Sequence, residues 1–275
     1  MADFLSQMAA LSAARAERAR LETPEQELRR RIAALGAPRP LPGDRFLLFA
    51  ECKRASPAAG VLDTSSLTLR QRALQYESGG AAAVSVLTEP SRFQGSLQDL
   101  RDISGAVRVP AMRKDFLTDS YQVVEARASG ASGVLLIVRM LDREGLREML
   151  SCSAELGMFT LLECFDREDI LRCADFVSAG AGRPPGVLLG VNTRDLRDLQ
   201  VRPGRLEELA GDLPRCCARI AESGMESPDD VAHAARAGYT GALVGSALMR
   251  AGDPSALCRA MLDAATAALT RRGDA

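Results

Sequence analysis

The chain has 275 residues, a net charge of -1 and 47% apolar residues. That balance gives no footing for nucleic acid or a membrane surface, and no apolar run approaches the roughly 18 residues of a membrane span. Seven cysteines are an odd number without a Cys-x-x-Cys pair; the adjacent Cys216-Cys217 read as ordinary thiols, and the set fits reduced cysteines in the cytoplasm rather than disulfides or a zinc site.

The start, Met1-Ala2-Asp3-Phe4, lacks the charged-then-apolar order of a signal peptide. Phe4, Leu5, Met8 and Leu11 fall on one helical face, and Thr23-Pro24-Glu25-Gln26 starts a second helix that runs to about Leu35-Gly36. Pro38, Pro40 and Pro42 then lead rigidly into the first strand. Residues 1–45 thus read as a helical extension packed on the rest of a single domain, 1–275. From residue 46 a unit repeats. Apolar runs end near Glu51, Leu87, Met112, Val138, Glu163, Val191, Glu222 and Gly245, spaced by 23 to 36 residues. Each gap holds one amphipathic helical pattern, clearest at Leu67–Ser78, Ser120–Ser129, Asp142–Leu156 and Pro228–Ala237. Several close on glycine: Gly79, Gly130, Gly157 and Gly238. Eight such units over 46–275 predict an α/β fold, a (βα)8 TIM barrel. No Gly-x-Gly-x-x-Gly follows the first strand, which argues against an open dinucleotide-binding sheet.

The first run, Phe46-Leu47-Leu48-Phe49-Ala50, is apolar on both alternations, as a strand buried on both faces requires. It ends in Glu51-Cys52-Lys53, which places Glu51 and Lys53 on one side and Cys52 on the other. In a parallel barrel the C-terminal strand ends converge on one pocket. Those ends carry Glu51 and Lys53, then Arg113-Lys114-Asp115-Phe116, Glu163, Asn192-Thr193-Arg194, Glu222-Ser223-Gly224 and Gly245-Ser246. So many charged groups in one register are costly as mere structure, because crowded charges lose water and perturb one another. The single histidine, His233, sits in the helical pattern begun by Ser227-Pro228-Asp229-Asp230 and reads as a helix-surface residue. Acid–base work therefore falls to Glu, Asp and Lys. Ser223-Gly224 and Gly245-Ser246 follow strands seven and eight, where barrels commonly bind phosphate. Glycine admits the backbone to an anion, and N–H groups and hydroxyls donate to it. A phosphorylated small molecule is the expected substrate.

The segments Glu51-Cys52-Lys53-Arg54-Ala55-Ser56-Pro57, Ser85-Val86-Leu87-Thr88-Glu89 with Phe93-Gln94-Gly95-Ser96, Arg113-Lys114-Asp115-Phe116, Leu135-Leu136-Ile137-Val138, Gly190-Val191-Asn192-Thr193-Arg194-Asp195-Leu196, Glu222-Ser223-Gly224 and Leu248-Met249-Arg250 occur in that order. Together they resemble indole-3-glycerol phosphate synthase. The resemblance implies closure of 1-(2-carboxyphenylamino)-1-deoxyribulose 5-phosphate to indole-3-glycerol phosphate with loss of CO2 and water, in tryptophan biosynthesis, with no cofactor and no metal. It implies Lys114 as general acid on the ribulose carbonyl and Glu163 as the acid–base group of later steps. Glu51 and Asn192 would orient sugar hydroxyls and assist dehydration. Lys53 and Arg194 would attract anionic groups, Glu222 would shape the pocket, and Ser56 and Phe116 would contact substrate, Phe116 beside the anthranilate ring. Ser223, Gly224, Gly245 and Ser246 would hold the phosphate. The carbonyl needs an acid near neutral pKa, which a desolvated lysine beside other cations reaches.

Three departures from the family pattern stand out: Ala58 in place of a second serine, Thr193 in place of a second asparagine, and the Gly- and Pro-rich stretch Ala179–Gly186. Two other enzyme readings are a phosphoribosyl isomerase and a paralogue of a specialised indole pathway; a barrel kept only for binding or complex formation is a third. The trio Lys114, Glu163 and Asn192 argues against the isomerase. A monomer and an association with other enzymes of the tryptophan pathway remain the two expectations for assembly.

Overall fold

Alternation within each strand decides what the barrel encloses. In the computed structural model, Leu47–Cys52 (β1), Ala83–Leu87 (β2), Ala111–Lys114 (β3), Gly133–Ile137 (β4), Phe159–Cys164 (β5), Val187–Asn192 (β6), Arg219–Glu222 (β7) and Gly241–Val244 (β8) pair in parallel. They close in the order β1-β8-β7-β6-β5-β4-β3-β2. One alternation, with Leu47, Phe49, Met112, Leu135, Phe159, Leu161, Leu188, Ile220 and Leu243, packs into one apolar cluster within the barrel. The other, with Leu48, Ala50, Cys52, Val134, Leu136, Leu162 and Cys164, belongs to the cluster shared with the surrounding helices. Every residue of β1 is buried, as its doubly apolar pattern requires. The structure describes residues 4–57, 60–61, 67–180, 186–195, 200–202 and 204–273. Ala58, Leu196 and residues 181–185 lie outside the described residues.

Bulk at the centre is matched by its absence nearby. The Phe49 and Phe159 rings meet edge-on at 6.0 Å. A Cβ at Gly133 would come within 2.3 Å of the Phe159 ring, so only glycine leaves that ring its place.

The helices are α1 Phe4–Glu22, α2 Glu25–Ala33, α3 Leu69–Ser78, α4 Pro90–Phe93, α5 Leu97–Ser104, α6 Ser120–Ala128, α7 Arg143–Glu155, α8 Arg167–Gly180, α9 Arg205–Ala210, α10 Pro228–Ala237, α11 Ser246–Arg250 and α12 Pro254–Gly273. Their starts follow the sequence chemistry. Thr68 and Ser227 close capping boxes on α3 and α10, and Asp142 caps α7. His233 lies exposed on α10, paired with Glu207. Among the described residues no helix is long and apolar enough to cross a membrane. The seven cysteines are free. After β1, Ala55–Ser56 pairs antiparallel with Gly60–Val61, a small addition that the loop residues of the sequence did not predict.

Candidate active site

The inward rows end in polar groups at one rim. Glu51 continues Leu47 and Phe49; Glu163 continues Phe159 and Leu161; Lys114 continues Met112, Asn192 continues Leu188 and Gly190, and Glu222 continues Ile220. These five line one pocket with Lys53, Ser56, Phe116, Arg194, Ser223, Gly224, Gly245 and Ser246. Every site residue singled out from the sequence thus reaches the same rim.

Lys114 is at the centre of the charges. Its Nζ donates to Glu163 Oε2 at 2.8 Å and stands 3.7 Å from Glu222 Oε2. Asn192 Nδ2 donates to Glu163 Oε1 at 2.7 Å, so each oxygen of that carboxylate has a partner. Asn192 Oδ1 in turn accepts the Arg194 backbone N–H at 2.8 Å. Beside this chain, Lys53 Nζ meets Glu51 Oε1 at 2.6 Å.

Burial by itself would drive the Lys114 pKa down. The charges of Glu163, Glu222 and Glu51 outweigh burial and hold it above the ordinary lysine value. This corrects the expectation of a lysine brought toward neutrality by neighbouring cations: the converging strands surround it with carboxylates. Glu222 moves the other way. Burial, then the negative charge of Glu163, push it from 4.5 up to about 8, against the pull of Lys114. Among the described residues neither of its carboxyl oxygens accepts a hydrogen bond, Lys114 Nζ standing 3.7 Å away. An unfolded chain releases this proton near 4.5 and the folded chain keeps it to about 8, so this group makes the fold less stable as pH rises through that window.

Gly190 makes room for that carboxyl. A Cβ there would lie 2.1 Å from Glu222 Oε1. The clash falls on the end of a flexible side chain, so Gly190→Ala should fold and turn Glu222 away from Lys114. We expect kcat to fall about tenfold with a small change in Tm, because sub-ångström placement governs such sites. A parental kcat in steady-state kinetics would refute this.

The loop after β7 carries backbone strain. Ser223 holds φ 64° and Gly224 φ 72°. The left-handed region costs a non-glycine residue on the order of 1 kcal/mol, and such strain gathers at functional sites. Thr193, the departure from the family pattern, is buried. Its N–H and its Oγ1 both donate to the Glu222 carbonyl, at 2.9 and 3.2 Å. It therefore ties the end of β6 to that of β7.

One wall of the pocket is aromatic. Phe116 meets Phe4 edge-on at 5.8 Å and Phe93 at 6.0 Å. Glu89 sets Phe93 in place: its carboxylate caps α4, accepting N–H groups of Ser91, Arg92 and Phe93. The sequence reading missed Phe4 as a pocket residue. Its only signal was the apolar face shared with Met8, which says that α1 docks but not where.

A closed barrel with one acid–base rim, fixed glycines and an aromatic wall defines a (βα)8-barrel enzyme for a small substrate. The family model for indole-3-glycerol phosphate synthase matches residues 6–261. Proteins named indole-3-glycerol phosphate synthase are similar to this chain in Nocardioides sp., 44% identical with 86% of this chain and 88% of the relative covered, and in Micrococcus luteus, 44% identical with 88% and 90% covered. The chain belongs to the indole-3-glycerol phosphate synthase family. Among solved structures, 3-hexulose-6-phosphate synthase from Salmonella typhimurium shares the fold at 16% identity and TM-score 0.62, covering 81% of this chain and 99% of that one. Thiamine phosphate pyrophosphorylase from Pyrococcus furiosus does so at 14% and 0.58, with 82% and 97% covered.

Proposed function

We propose that this chain closes the indole ring of 1-(2-carboxyphenylamino)-1-deoxyribulose 5-phosphate, releasing CO2 and water to give indole-3-glycerol phosphate. The observation that carries this is the contact of Lys114 Nζ with Glu163 Oε2 at 2.8 Å. Attack of the aromatic carbon puts negative charge on the ribulose carbonyl oxygen, and a protonated Lys114 supplies the proton. Loss of CO2 relieves the carbon that attacked. The new hydroxyl must then leave as water, which again needs a proton donor, and the indole forms when a base takes one of the two protons of the methylene carbon beside the ring nitrogen. Glu163, in contact with Lys114, exchanges protons in these steps. A neutral Glu222 beside Lys114 leaves fewer negative charges around the ammonium, so its proton is easier to give up than among three carboxylates.

Glu51 and Asn192 orient the sugar hydroxyls. Lys53 and Arg194 face the anthranilate carboxylate, with Ser56 beside them. Phe116, Phe93 and Phe4 flank the ring. Ser223, Gly224, Gly245 and Ser246 hold the phosphate through N–H groups and hydroxyls. We read the chain as a single domain whose first 45 residues pack on the barrel, and as a cytoplasmic enzyme of tryptophan biosynthesis acting without cofactor or metal. The purified protein, with a chelator present, should turn that substrate into a fluorescent indole product. No product, or a strict need for metal, would overturn the proposal.

A further inference from the structure

Besides the packing of Phe4 on Phe116, the N-terminal helix reaches the reacting end of β3 through a buried carboxylate. Asp115 follows Lys114 and precedes Phe116. Its Oδ1 accepts Arg15 Nη2 at 2.7 Å and the Phe116 N–H at 2.8 Å. Its Oδ2 accepts Thr88 Oγ1 at 2.8 Å and faces Arg113 Nη2 at 3.3 Å. The donors come from α1, from the end of β2 and from β3, and Arg113 is itself held by Glu125 on α6 at 2.9 Å. The Asp115 side chain is fully buried. A buried carboxylate with four donors has one orientation, and its backbone is the hinge between Lys114 and Phe116.

We propose that Arg15 is a positioning residue for the reaction: by completing the donor set of Asp115 it fixes the backbone that carries Lys114 to the carbonyl and Phe116 to the aromatic ring. This rests on Lys114 being the general acid. Arg15 does not line the pocket, so its effect passes through Asp115. The geometry of α1 supports a dedicated contact. Ser12 lies one turn earlier on the same face, and its Oγ accepts Gln122 Nε2 at 2.9 Å, while Gln122 Oε1 accepts the Thr118 N–H at 2.9 Å. The helix thus grips both the start and the end of the segment from β3 to α6. Burial opposes ionisation of Asp115, but Arg113 and Arg15 outweigh it and hold the carboxyl below its ordinary pKa. Removing Arg15 deprives a buried charge of its shortest ionic contact.

The same helix provides its own control. Arg20 joins α1 to Asp119 at 2.6 Å and lies over the Tyr121 ring, yet touches nothing on Asp115. The test is single-turnover ring closure with Arg15→Met, Arg15→Lys, Arg20→Met, Asp115→Asn, the double variant Arg15→Met/Asp115→Asn, and Lys114→Met. Circular dichroism follows folding. Arg15→Met should lower the rate about tenfold to a hundredfold, the range that misplacement by about an ångström produces, with KM nearly unchanged. Arg15→Lys keeps the charge and should recover most of the rate. Arg20→Met should stay within about twofold of the parent although it loosens the same helix. The double variant should be no slower than Asp115→Asn, since both act through one group. In Arg15→Met the acid limb of the kcat profile should move to higher pH as Asp115 takes up a proton more readily. That shift should be absent when Arg15→Met is made in the Asp115→Asn background. A parental rate in Arg15→Met, or an equal fall in Arg20→Met, overturns the positioning role. A parental rate in Lys114→Met instead overturns the assignment of the general acid.

Discussion

Replacing Lys114 with methionine should lower the single-turnover rate of ring closure by about 10²–10⁴, the usual contribution of general acid catalysis. The ammonium stands against Glu163, with Glu222 and Glu51 nearby, and the carboxylates around it hold its pKa above the ordinary lysine value. Methionine fills similar volume and brings no proton. The variant also strands Glu163, which then keeps only Asn192. The Asn192 hydrogen bond still holds that carboxylate and a strand-end lysine packs little core, so circular dichroism should report a folded barrel with a lowered Tm. Arginine at 114 should not rescue, because its planar fork does not fit the place of the lysine Nζ between Glu163 and Glu222. Lys53→Met is the contrast. Its Nζ sits 2.6 Å from Glu51 Oε1 at the edge of the pocket, and its charge serves ground and transition state alike. Its effect should fall on KM more than on kcat. A folded Lys114→Met enzyme with near-parental ring closure would move the general acid elsewhere, with Lys53 next in line.

The parts of the site legible in the sequence are those fixed by short-range rules. Alternation along a strand carries Phe49 to Glu51 and Leu161 to Glu163, so the inward row and its polar end can be read without a structure. Three features needed the third dimension. Glu89 ends the second apolar run much as Glu51 ends the first, yet Pro90 follows it and the carboxylate caps α4 instead of entering the pocket. Phe4 is remote in sequence from Phe116 and meets it only because α1 docks over the rim. The direction of the Lys114 pKa depends on carboxylates from β1, β5 and β7. Local spacing placed each at a strand end but could not say that lysine would stand among them. Thr193 is a milder case. It departs from the family pattern, and the structure shows its hydroxyl and N–H binding the neighbouring strand.

Gly245→Val should damage binding and chemistry together. A Cβ at Gly245 would lie 2.3 Å from Glu51 Oε1 and 2.7 Å from Lys53 Nζ. The glycine therefore lets this ion pair rest against the end of β8, and the same bare backbone borders the pocket. Valine must push either the pair into the pocket or its own backbone away from it. The first displaces Glu51, and the second withdraws the N–H groups proposed to meet the phosphate. Each charge-assisted hydrogen bond lost is worth roughly 1.5–3 kcal/mol, or about tenfold to a hundredfold in affinity. We expect KM to rise by about that range and kcat to fall as well, for a combined loss in kcat/KM of at least about 10²-fold. Ser246→Ala isolates one part: it removes a hydroxyl without crowding Glu51, so KM should rise by about tenfold at most while kcat holds. The phosphate itself is tested by substrate. The parent should lose most of its kcat/KM on a substrate without phosphate, and Gly245→Val, having lost its hold on that group, should discriminate far less between the two. If Gly245→Val keeps the full parental preference for the phosphorylated substrate, the phosphate is held elsewhere than at the ends of β7 and β8.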